Sequence, residues 1–129
     1  MTSELTITIP RAWWHTSNDR GQWYVFSPRK KAIRLAAKFA AINARTPRFN
    51  VAHVTAYIGY PTRSNADPGN ASPVVKAALD GLTDAGVWVD DDKAHVVGPD
   101  YRAERGTTGK PGVHTVRLVI EEYVEGVQE

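Results

Sequence analysis

The chain has 129 residues and a formal net charge of +2, long enough to bury a core and too short for two comfortable domains. Its lack of cysteine excludes disulfides, a thiolate nucleophile and Cys-type zinc sites. No apolar run approaches membrane-spanning length, and Met1-Thr2-Ser3-Glu4 lacks the regions of a signal peptide, so the expectation is one soluble, cytoplasmic domain.

The small net charge conceals a division. Residues 1–50 hold nine Lys and Arg against two acids, a balance of +7, and residues 51–129 hold seven against twelve, a balance of −5. One half looks built to approach a polyanion and the other to hold cations.

In chain order, the alternation from Leu5 to Ile9 predicts a short strand, and Pro10 to Trp23 reads as a loop carrying Trp13, Trp14 and Asn18. Ser27-Pro28 predicts an N-cap and first-turn proline for a helix running to about Ala44. On that helix Lys30, Arg34, Lys38 and Arg45 fall on one side as a basic stripe, a candidate for phosphate contacts. Ala32, Leu35, Ala36, Phe39 and Ala40 fall on the other side. Trp13 and Trp14 read more readily as packing residues than as platforms for bases.

Phe49 to Tyr60, rich in β-branched and aromatic residues, predicts a long strand. A polar turn over 62–71 follows, and Ser72-Pro73 with Gly86 brackets a second helix of about thirteen residues, its buried seam formed by Val75, Ala78, Leu79 and Leu82. Lys76, Asp80 and Asp84 line up on its exposed side at i, i+4 and i+8. His95 to Arg102 and Val113 to Tyr123 read as the last two strands. The order β-α-β-α-β-β implies a small α/β fold of the α+β type, a mixed sheet packed against two helices.

The chemistry concentrates around the second helix. Asp67 and Asn70 stand in the turn before it, Lys76 on its first turns, and Asp90-Asp91-Asp92 after its end. Oxygen donors without cysteine favour hard cations such as Mg²⁺ or Mn²⁺, and an adjacent ammonium offsets charge that builds on a phosphoryl group. Alone, Asp67 and Asn70 also fit a turn, Lys76 fits an i, i+4 pair with Asp80, and Asp92 fits a solvated loop. His15, His53, His95 and His114 have no metal-ligand spacing.

The composite of Asp67-x-x-Asn70, Lys76, Asp80-x-Leu82, Ala85-Gly86 and Asp90-Asp91 resembles the core of RusA-type Holliday junction resolvases. The likeness extends to the opening strand ending in proline, the loop bearing Asn18, and the helix and strand that follow. It implies a Mg²⁺-dependent homodimer that nicks paired strands of a four-way DNA junction. Carried over by position, Asp67, Lys76 and Asp91 would be catalytic, and Asp67, Asn70, Asp90 and Asp91 would hold the metal. Lys30, Arg34, Lys38 and Arg63 are the expected DNA contacts. Gly69 departs from the pattern, standing where the family turn has a second Asp, and the Asn70 to Lys76 spacing is longer. The alternative in another class is therefore a junction-binding architectural protein without cleavage; a general nuclease of similar fold is a third.

Lys76 and Asp91 lie on opposite sides of the second helix's end. From Lys76 to Ala85 the helix rises about 13 Å at roughly 1.5 Å per residue. Two arrangements meet that distance: a chain that runs back over 86–91, or a two-fold partner whose Asp91 reaches across to Asp67 and Lys76.

Overall fold

The computed structural model describes residues 1–124. Its elements are β1 (Thr2–Ile9), α1 (Trp23–Asn43), β2 (Ala52–Tyr60), a 3-10 turn (Pro68–Ala71), α2 (Ser72–Asp84), β3 (Val96–Thr107) and β4 (His114–Glu122). The α+β class and the order β-α-β-α-β-β are as the sequence predicts. No helix among the described residues is long and apolar enough to cross a membrane.

The strands form one mixed sheet in the order β1-β4-β2-β3, with β4 antiparallel to both of its neighbours and β2 parallel to β3. β1, β2 and β3 therefore run the same way and end at one edge, where Ile9 faces His114, Gly59 faces Thr115 and Tyr60 faces Thr107. Each parallel crossover carries a helix, so the loops before α1 and α2 open at this carboxyl end, where open α/β sheets place their ligands.

Alternation decides the two faces. Leu5, Ile7 and Ile9, then Val54, Ala56 and Ile58, then Val116, Leu118 and Ile120 are buried with the helices. The intervening residues form a charged face where Arg117 pairs with Glu104 and Glu4 and stacks over Tyr57.

The two helices depart differently from expectation. α2 spans thirteen residues and buries its whole expected seam together with Val74, Ala77 and Gly81. α1 begins at Trp23, a turn before the Ser27-Pro28 signal, so Pro28 lies inside the helix. Pro28 is the sixth helical residue, past the first turn, so the helix forgoes there the N–H that would reach the Tyr24 carbonyl.

The expected core face of α1 was displaced. Ile33, Ala37 and Ala41 are buried, Ala32, Ala36 and Ala40 are half-buried, and Leu35 and Phe39 are exposed. Close packing on α2 sets this: a Cβ on Gly81 would sit 2.2 Å from the Arg34 carbonyl oxygen and 2.8 Å from the Ala37 Cβ. Small residues must face each other there, which turns the larger ones outward.

Candidate functional site

The turn after β2 is shaped by its own polar groups. Asp67 caps the 3-10 turn, its Oδ1 accepting from the Gly69 N–H at 2.9 Å and its carbonyl accepting from the Asn70 N–H at 2.9 Å. Asn70 holds the loop after β1 in place, its carbonyl accepting from the Ser17 N–H at 2.9 Å and its Oδ1 from the Ser17 hydroxyl at 3.3 Å. Burial and the nearby Asp67 charge push the Tyr60 hydroxyl pKa up, which places Asp67 near the end of β2.

Gly69 lies outside the left-handed region, and a Cβ there would stand 3.3 Å from Asp67 Oδ1. An aspartate there fits the backbone, provided the Asp67 carboxylate gives by a few tenths of an ångström.

Lys76 and Asp91 meet within one chain. Lys76 Nζ donates to Asp91 Oδ2 at 2.5 Å and to Asp80 Oδ1 at 2.9 Å. Gly86, at φ +82°, reverses the backbone, and Val87 N–H bonds to the Leu82 carbonyl. Burial of Val87 and Trp88 then draws the segment back along α2, and the long lysine side chain spans what remains. The arrangement in which a partner supplies Asp91 to Lys76 is therefore not needed; chain return makes the contact.

The electrostatics follow from that contact. Burial pushes the Asp91 carboxyl up, but hydrogen bonds involving Lys76, Asp80 and Asp90, with the Lys76 charge, outweigh it and hold the pKa below the usual carboxylate range. Donating to the Asp80 and Asp91 carboxylates raises the Lys76 pKa, so the ammonium form is held. Asp90 Oδ1 accepts from the Asp91 N–H at 2.8 Å. Asp92 turns away to His95 at 2.6 Å, in keeping with a solvated loop role.

The candidate ligands Asp67, Asn70, Asp90 and Asp91 offer only hard oxygen atoms, the donor set Mg²⁺ prefers. Among the described residues, no three His, Cys, Asp or Glu side chains converge closely enough to hold an ion. The chemistry of the donors fits a divalent cation, while Asp91 Oδ2 is engaged by Lys76.

The expected DNA contacts separate on inspection. Lys30, with Lys31, Ser27, Pro73 and Lys76, lines a groove of about 280 Å³ between the helices. Arg34 also borders it, but forms a two-bond pair with Asp84 at 2.6 and 2.8 Å. Lys38 is half-buried with its ammonium 6.0 Å from the Phe39 ring centroid, and Arg63 lines a separate cleft. Lys31 escaped the sequence reading because it lies off the four-residue repeat.

Trp13 and Trp14 pack against the core, and Trp14 stacks on His114 with centroids 3.7 Å apart. His114 Nδ1 is buried without a hydrogen-bond partner, and burial lowers the pKa to about 4. His15 is buried, takes part in one hydrogen bond to the Trp13 carbonyl, and has its pKa lowered by burial. Neither histidine carried a sequence signal, since burial is set by tertiary contacts.

Compared with known proteins, the chain matches no protein-family model and no curated protein.

Proposed function

We propose that the chain is a Mg²⁺-dependent, structure-selective DNA endonuclease, a homodimer that resolves four-way junctions by paired nicks. The observation that carries this reading is the meeting of Lys76 and Asp91 beside the groove lined by Lys30 and Lys31. An ammonium held between two carboxylates, next to basic side chains, suits a site that admits a phosphodiester.

In this reading a cation would be held only once Asp67, Asn70, Asp90 and Asp91 are drawn together with the phosphate, and when bound it would polarise the scissile phosphate and lower the pKa of water. Lys30 and Lys31 attract the backbone into the groove. Lys76 offsets charge developing on the phosphate, and Asp80 orients it from one helical turn away. Arg34 positions α1 on α2 through Asp84 and is not assigned a phosphate. A DNA substrate makes the cytoplasm the expected compartment.

Gly69 and the dispersed carboxylates favour a second reading, a junction-binding architectural protein without cleavage. A labelled synthetic mobile junction, titrated with Mg²⁺ and Mn²⁺ and resolved on denaturing gels, tests both. Symmetric nicks on opposed strands are expected for the endonuclease. Binding without nicks in either ion selects the architectural reading, and equal cutting of linear duplex selects a general nuclease.

A further inference from the structure

The carboxyl end of β3 presents a second basic surface on a different part of the molecule from the α1 groove. Arg63 and Arg105 line a cleft of about 490 Å³ between loop 62–65 and β3, with Ser64 and Asn65 as further polar groups. An adjoining cleft of about 580 Å³ shares Arg105 and adds Arg102. Arg102 is the register partner of Tyr57 and stands on the charged face, and Arg105 follows in the irregular stretch of β3 before Thr107.

The charge here is uncompensated. Glu104, the acid that lines both clefts, is held by Arg117 at 2.7 and 3.0 Å. Arg63, Arg102 and Arg105 form no ion pair with a carboxylate among the described residues. β3 is also an edge strand, and its flanking charges disfavour pairing with another strand while leaving backbone N–H groups open to an anion. Guanidinium forks match phosphate oxygens bidentately.

Position makes the surface a second grip. Tyr60 and Asn65, the latter two residues before Asp67, line the cleft of about 490 Å³, so the cleft adjoins the candidate site. The Lys30 groove lies between α1 and α2 on the helix-covered side of the sheet, whereas Arg102 shares the opposite, charged face with its register partner Tyr57 and with Arg117. The helix layer and the sheet stand between the two, so a straight duplex lying on one face leaves the other free.

We infer that Arg63, Arg102 and Arg105 bind the phosphodiester backbone of a second duplex arm, so that a branched substrate engages both faces of the domain while a single linear duplex engages one. The inference rests on the endonuclease reading and assigns the origin of its selectivity.

The test compares a labelled four-way junction with a linear duplex of one arm's length, by fluorescence anisotropy across a salt series. Arg102→Gln with Arg105→Gln should weaken junction binding about tenfold and lower the slope of log affinity against log salt by about 1 to 2. Duplex affinity should change less than about twofold, and Arg63→Gln alone should show the same selectivity at smaller size. Unchanged junction binding in both variants, or equal losses on both DNAs, overturns the second grip and leaves the endonuclease reading standing. Failure of the wild-type protein to bind either DNA overturns both. Circular dichroism melts matching wild type are required of each variant, and the three exposed positions make them achievable.

Discussion

The two helices pack against each other yet differ in what they expose. α2 buries seven of its thirteen residues, and the line it shows to solvent is occupied: Lys76 by Asp80 and Asp91, Asp84 by Arg34. α1 buries three of its twenty-one and leaves Leu35, Phe39 and Ile42 about half exposed, with Lys30 and Lys31 at the groove. α2 holds the candidate chemistry in a fixed frame, whereas α1 presents surface. A helix that positions a site needs most of its circumference fixed, and one that meets a large ligand does not.

The largest effect should come from the fixed helix. On the proposed endonuclease reading, Lys76→Ala or Asp91→Asn should lower junction nicking by about 10² to 10³, the range for losing one transition-state contact, with junction binding retained in anisotropy. Because Lys76 and Asp91 meet within one chain, mixing the two variants should restore no nicking. Recovery on mixing would mean that the functional site is assembled differently from the one described.

Gly81→Ala tests the frame itself. The added methyl meets the Arg34 carbonyl and the Ala37 side chain at distances no packed Cβ tolerates, so the helices must part. Overpacking of this kind costs about 1–3 kcal/mol or more, and thermal melts should drop by several degrees. An unchanged melting temperature would show the helix interface to be looser than its geometry implies.

Gly69→Asp sharpens the chemistry at the start of α2. With the backbone permitting it, a second carboxylate beside Asp67 should tighten the Mg²⁺ dependence of cleavage by severalfold, read as a lower half-saturating concentration. An identical titration in a folded variant would remove the Asp67 turn from the metal site.

A pH effect of intermediate size belongs to neither helix. His114 stays neutral in the fold down to about pH 4, whereas its ordinary pKa is 6.5. The unfolded state therefore binds more protons between those values, and stability falls as pH drops from about 6.5 to 4. His114→Phe should flatten that part of a melting-temperature profile. Asp91 acts lower: its depressed pKa gives stability that is present above the ordinary carboxylate range and lost as pH falls through the folded value.

The smallest effect is expected on the exposed side of α1. Leu35→Ala should change monomer stability by no more than about 0.5 kcal/mol, checked by urea titration at low protein concentration. A larger loss would place Leu35 in a buried contact and narrow the difference between the helices.

Much of this architecture was written in the sequence. The order of elements, the thirteen-residue α2 between Ser72-Pro73 and Gly86, and its buried seam follow from periodicity, capping and glycine's tolerance of positive φ, all local effects. The pairing of Lys76 with Asp80 was equally readable, from the i, i+4 spacing. The face of α1 was not, because an apolar stripe identifies a side without saying which neighbour will press on it. Gly81 made that choice from another element. Nor did the sequence show that the chain returns Asp91 to Lys76, that Arg34 is taken by Asp84, or that Arg63 and Arg105 share a cleft. Each depends on residues far apart in the chain, brought together by sheet order and burial, and a local pattern holds no information about contacts it does not span.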